Sequence, residues 1–184
     1  MENWTTVEVL RHARHDWLNK LQLINGYASL NNMEKVKDIV EDIILEAQQE
    51  SKLSNLHLPK FAELLLTYNW EGHPFRLEYE ILDADKRLLP EDGRLYGWMK
   101  SFLACVEEMA DPYGDNLLSL TFGTPQSAAR FFFEFSGTIK TPGLLTGWLE
   151  AECRGRHVVH AQSETVFSVE VVFPEVPAGG KLLS

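Results

Sequence analysis

Between Arg14 and Lys20 the chain reads Arg-His-Asp-Trp-Leu-Asn-Lys. An imidazole, a carboxylate, a carboxamide and two cations thus fall within about two turns of a helix. Neutral imidazole is an uncharged nucleophile near neutral pH, and a ring nitrogen can take a phosphoryl group and release it again. Transfer of that group passes through a loose transition state, so catalysis is mostly positioning and charge neutralisation. Asp16 is placed to accept a ring N–H and fix the tautomer, or to act as a base. Asn19, one turn on from His15, is placed to hydrogen-bond the ring or an incoming oxygen. Arg14 and Lys20 are the cations that would offset phosphate charge. A lone histidine on a helix is more often an ordinary surface residue, and the charges beside it an ordinary solvated face. His12, three residues earlier, competes for the role.

The helix that carries these groups is written in the spacing. Thr5 and Glu8 make a capping-box pattern. Val7, Leu10, Arg14, Trp17, Leu21, Ile24 and Ala28 then follow at intervals of three and four, a heptad seam interrupted once by Arg14. His15 lies one position off that seam, in a polar row with Asn19, Gln22 and Gly26 at i+4, i+7 and i+11. Asn31-Asn32 breaks the pattern, and a second seam runs through Met33, Val36, Val40, Ile43 and Ala47. A short connection between two long seams predicts an antiparallel helical hairpin. Leu18, Leu23, Ile39, Ile44 and Leu45 widen the apolar face beyond what one partner helix covers. A second copy, pairing two hairpins into a four-helix bundle, would cover them; the other cover available is the chain's own C-terminal half. The dimer is the favoured reading.

From Pro59 onward the pattern changes. A helix from Pro59 to about Trp70 begins with proline in its first turn. A strand is expected over Arg76–Leu82, a helix over Leu95–Met109, strands over Leu117–Phe122 and Ala129–Phe135, a helix from Pro142 to about Cys153, and strands over His157–His160 and Thr165–Phe173. That order predicts helices on one face of a mixed sheet. The fold class is therefore α+β, with a hairpin domain over residues 1–56 and an α/β sandwich over 57–184.

Composition narrows the partners. The formal net charge of −10 argues against nucleic acid, which needs clustered Lys and Arg. The sequence has no apolar run near the roughly 20 residues that span a bilayer and no signal-peptide pattern, so no membrane is expected. Cys105 and Cys153 have no metal-ligand partner at zinc-site spacing and read as reduced core thiols of a cytoplasmic protein. No metal or cofactor is expected to be bound by the chain itself.

His-Asp-x-x-Asn at the start of a helical hairpin looks like the phosphoacceptor box of bacterial histidine kinases. A wider pattern is more specific. Arg14 through Ile24, then Glu50-Ser51-Lys52-Leu53-Ser54-Asn55-Leu56, Thr67-Tyr68-Asn69-Trp70 and Leu77-Glu78-Tyr79-Glu80, resembles the sporulation initiation phosphotransferase B family of endospore-forming bacteria. The resemblance covers the first 80 or so residues closely and the remainder by layout. It implies a phosphorelay in which His15 takes a phosphoryl group from the aspartate of a single-domain response regulator. His15 then passes it to the aspartate of the sporulation transcription regulator. Asp16 and Asn19 would assist, and Arg14, Leu18, Lys20 and Gln22 would meet the regulator or the phosphate. Mg²⁺ would come from the regulator's acidic pocket.

The C-terminal layout resembles the ATP-binding domain of histidine kinases, but the ligand contacts are missing. The helix that should hold an Mg²⁺-binding Asn reads Leu103-Ala104-Cys105-Val106-Glu107-Glu108-Met109-Ala110. The turn that should carry the adenine-reading Asp reads Ser136-Gly137-Thr138-Ile139-Lys140. Gly143 and Gly147 stand alone, and Trp148 would crowd a nucleotide. Without these groups the phosphates and magnesium have no cradle. Two other readings stay open: a fragment of an ATP-dependent sensor kinase, and a docking module for response regulators that accepts no phosphate.

Overall fold

The computed structural model describes residues 4–125, 128–153 and 156–173. The chain forms two compact units, residues 1–50 and 51–184.

The first unit is helical. Helix α1 spans Thr6–Ser29 and helix α2 begins at Met33 and runs to Ser54. The capping box at the head of α1 is formed: Glu8 N–H donates to the Thr5 hydroxyl at 3.3 Å, and Thr5 N–H donates to the Glu8 carboxylate at 2.8 Å. The Thr5 hydroxyl and N–H together hold the Glu8 carboxyl below its ordinary range. Asn31 sits at φ 56°, the left-handed conformation that asparagine tolerates better than most residues, and this turns the chain sharply. Asn32 then caps α2 by accepting from Lys35 N–H at 3.2 Å. Across the turn, the Lys20 ammonium on α1 is bonded to the Glu46 carboxylate on α2.

The heptad expected to be covered on α1 is not the covered one. The half-buried row runs through Val9, Ala13, Asp16, Lys20, Ile24 and Tyr27. Val7, Leu10, Trp17, Leu21 and Ala28 are exposed, with Trp17 at 53% and Leu21 at 54%. Only Ile24 is shared between the two rows. The reason is that α1 is apolar on more than one face, so spacing alone does not choose which face the turn brings toward α2. No residue of α1 is fully buried.

The second unit is α+β. Helix α3 spans Pro59–Thr67 and runs into a 3₁₀ turn over Tyr68–Trp70; α4 spans Asp92–Met109 and α5 spans Gly143–Cys153. The strands are β1 Arg76–Ile81, β2 Leu117–Gly123, β3 Arg130–Ser136, β4 His157–Gln162 and β5 Val166–Val172. They form one sheet in the order β1-β2-β3-β5-β4. β1 and β2 are parallel and the other pairs antiparallel, so the sheet is mixed as expected. Alternate residues point into the core: Leu118, Leu120 and Phe122 of β2, Phe131, Phe133 and Phe135 of β3, and Phe167, Val169 and Val171 of β5. Leu95, Met99, Phe102, Val106 and Met109 of α4 join the same core, as do Leu145 and Leu149 of α5.

Element order and type follow the sequence reading, and two of the boundary shifts have a local reason. α4 begins three residues earlier than expected because the Glu91 carboxylate accepts from Gly93 N–H and Arg94 N–H, each at 2.9 Å. These two bonds hold the Glu91 carboxyl below its ordinary range. β4 extends to Gln162 through a bulge between Val159 and Ala161.

Candidate functional site

His15 lies in the middle of α1 with its side chain 72% exposed. Asn19, Gln22 and Gly26 are exposed as well, so the polar row is accessible along its length. Both polar neighbours of the ring meet the same nitrogen. Asn19 Nδ2 is 3.2 Å from His15 Nδ1, and Asp16 Oδ1 is 3.5 Å from it. Nε2 has no polar contact among the described residues. With the ring proton on Nδ1, held by Asp16 or by a rotated Asn19 carboxamide oxygen, Nε2 presents its lone pair outward. That is the state a nucleophilic imidazole needs.

The two cations separate. Lys20 is half-buried, bonded to Glu46, and its Nζ stands 5.9 Å from the Trp17 ring centre. Arg14 is exposed, and its guanidinium meets no carboxylate among the described residues. Of the two, Arg14 is the cation available beside His15. Leu18 is exposed one turn from Arg14. His12, the competing histidine, is half-buried with its ring edge-on to Trp4 at 4.8 Å. Glu46 is the residue the sequence reading passed over. Its only signal there was its sign, one acid among several on α2, and nothing local marked it as the partner of Lys20.

The turn after β3 is sewn to the end of α4: Lys140 N–H donates to Met109 carbonyl at 2.7 Å and Asp111 N–H to Thr138 carbonyl at 2.8 Å. Gly137, the one glycine left in that turn, sits at φ 153°. A Cβ there would lie 2.1 Å from Asn116 Oδ1. Asn116 is buried; it donates to Pro74 and Asp111 carbonyls and accepts from Thr138 N–H. Gly137 therefore makes room for an internal asparagine. Trp148 donates from Nε1 to the Ser101 hydroxyl at 2.9 Å and packs against Trp98 and Phe102. Among the described residues no three His, Cys, Asp or Glu side chains gather as metal ligands. No helix among them is long and apolar enough to cross a membrane.

Residues 1–56 match the family described as "Sensor kinase SpoOB-type, alpha-helical domain", and residues 57–174 match "Sporulation initiation phospho-transferase B, C-terminal". A relative from Bacillus subtilis (strain 168), sporulation initiation phosphotransferase B, is 36% identical over 138 residues, 74% of this chain and 72% of its own. The chain belongs to the sporulation initiation phosphotransferase B family. Among solved structures it is similar to the Erythrobacter litoralis EL346 blue-light activated histidine kinase at 13% identity and a TM-score of 0.40, over 95% of this chain and 62% of that one. It is also similar to the Acinetobacter baumannii histidine kinase AdeS at 13% identity and a TM-score of 0.37, over 89% of this chain and 96% of that one.

Proposed function

We propose that this protein is a histidine phosphotransferase of a sporulation phosphorelay, with His15 as the carrier. Nε2 of His15 attacks the phosphorus of an aspartyl phosphate on a response regulator. The N–P bond forms as the carboxylate–phosphorus bond breaks, and the regulator's aspartate leaves as free carboxylate. A second regulator's aspartate then reverses the exchange on its own side chain, and His15 is regenerated. Asp16 and Asn19 hold the Nδ1 side of the ring. Arg14 offsets phosphate charge, and Leu18, Lys20 and Gln22 lie in or beside the surface that a regulator covers. Mg²⁺ arrives in the regulator's acidic pocket. The observation that carries this reading is the accessible His15 ring with its polar neighbours on one nitrogen only, in a chain of this family.

The apolar residues left exposed on α1 and α2 support a homodimer in which two helical hairpins make a four-helix bundle. Residues 1–56 are then the phosphotransfer and dimerisation domain, and 57–184 a degenerate kinase-ATPase-like domain that does not use ATP. The closed turn over Ser136–Lys140 supports that last point. The relay step is placed in the cytoplasm.

Label transfer tests the reading. Incubation with a ³²P-labelled, phosphorylated response regulator should place an acid-labile, alkali-stable phosphate on His15. His15→Ala should fold normally and accept none, whereas His12→Ala should still accept it. Binding of the regulator without label transfer would make the chain a docking module, and labelling of His15 by ATP alone would make it a kinase.

A further inference from the structure

A cleft of about 650 Å³ opens between the first half of α4, the last turn of α5 and the end of β5. It lies at the opposite end of α4 from the turn over Ser136–Lys140, which is bonded to Met109 and Asp111. It lies wholly in the second unit. Arg94 and Arg156 both line it, and among the described residues neither guanidinium meets a carboxylate. Among the described residues of the lining Glu152 is the one acid beside these two arginines, in a chain whose net charge is −10. This positive charge comes from side chains, because Glu91 already occupies the N–H groups of Gly93 and Arg94 at the helix start. The half-buried Trp98 supplies the apolar wall, with Phe173 buried beside it. Phe173 carries the Arg94 guanidinium at 5.6 Å from its centre, and Trp98 stands edge-on to Phe173 at 4.9 Å.

Gly97 adds an independent observation. It is inside α4 and lines the cleft, and a Cβ added to it would meet nothing within 4 Å. Glycine inside a helix is destabilising relative to alanine. The protein's own packing does not require it here, and its lack of a side chain leaves this stretch of the cleft wall open.

We propose that this cleft binds a small organic anion, with its phosphate or carboxylate held by Arg94 and Arg156 and its flat apolar body against Trp98. The cleft's size is in the range of small-molecule sites, about 300–1,000 Å³. Paired guanidiniums give charge-assisted, geometrically specific bonds to either head group.

Amide and indole NMR titration of the intact protein tests this with three probes: phenyl phosphate, benzoate and inorganic phosphate. Phenyl phosphate or benzoate should shift Gly97 and the Trp98 indole saturably, and the tighter of the two identifies the head group. Inorganic phosphate should bind the same residues more weakly. Arg94→Gln and Arg156→Gln should each weaken binding about tenfold. Gly97→Leu should keep the fold, since the space is open, and abolish the shifts. The proposal is overturned if no probe saturates by about 10 mM, if the glutamine variants or Gly97→Leu bind as the parent does, or if inorganic phosphate binds as tightly as the aromatic probes. Shifts centred on Arg14 and His15 instead of Gly97 would overturn it equally.

Discussion

The Asn19 carboxamide stands 3.2 Å from Nδ1 of His15, one helical turn away, on the same nitrogen that Asp16 approaches at 3.5 Å. Two groups competing for one ring nitrogen orient the imidazole without occupying the other. Asn19→Ala should therefore leave the fold intact and slow phosphoryl transfer to His15. A neutral hydrogen bond of about 0.5–1.5 kcal/mol gives a slowing of about two- to tenfold. Single-turnover transfer from a phosphorylated regulator measures it; an unchanged rate would remove Asn19 from the mechanism.

Arg14 and Lys20 should behave differently although both flank His15. Lys20 is committed to Glu46, a half-exposed pair worth at most about 1 kcal/mol. Lys20→Met should cost a little stability, measured by urea denaturation, and leave the transfer rate within about threefold. Arg14→Met should leave stability unchanged and lower the transfer rate by more than Lys20→Met does. The reverse order would show that the Lys20–Glu46 pair opens when a regulator docks.

Trp17 and Leu21 are both more than half exposed on α1. Sedimentation at about micromolar concentration should show a dimer. Trp17→Glu combined with Leu21→Glu should move it to monomer by burying charge in the helical interface. A monomeric parent protein would defeat the four-helix bundle.

Of the described glycines, Gly137 leaves the least room for a Cβ, because Asn116 packs against it. Gly137→Ala places a Cβ 2.1 Å from Asn116 Oδ1 at a backbone φ of 153°. It should destabilise the protein by about 2 kcal/mol or more, read as a fall in the urea midpoint. Asn116→Ala should be comparably costly, because two carbonyls and the Thr138 N–H lose their buried partner. Neither change should alter the accessibility of His15.

ATP with Mg²⁺ should not label His15 and should leave the resonances of Met109–Asp111 and Thr138–Lys140 unmoved. The sequence offers no Mg²⁺-binding Asn, no adenine-reading Asp and no second Gly-rich loop there, and three such contacts, each worth about 1.5–3 kcal/mol, would together weaken binding by about a thousandfold or more. Saturable shifts at those residues, together with labelled His15, would restore a working kinase domain.

Much of this protein was decided by short-range spacing. The Thr5–Glu8 capping box, the break at Asn31-Asn32, proline at the first position of α3 and the strand alternation of β2, β3 and β5 all follow from residues a few positions apart. So does the polar row His15-Asn19-Gln22-Gly26, because helical periodicity alone puts i, i+4, i+7 and i+11 on one side. Tertiary structure decided what depends on distant partners. It chose Val9–Ala13–Asp16–Lys20 as the covered row of α1, over the larger side chains of the Leu10–Trp17–Leu21 face. It also committed Lys20 to Glu46, 26 residues away. The N–H groups of Lys60 and Phe61 at the start of α3 are capped by Asp92, a residue that local reading left outside any helix. Gly137, which the sequence offers as the remnant of a nucleotide loop, accommodates Asn116. Such pairings depend on where the turn and the core bring side chains together in space, and helical or strand periodicity carries no record of that.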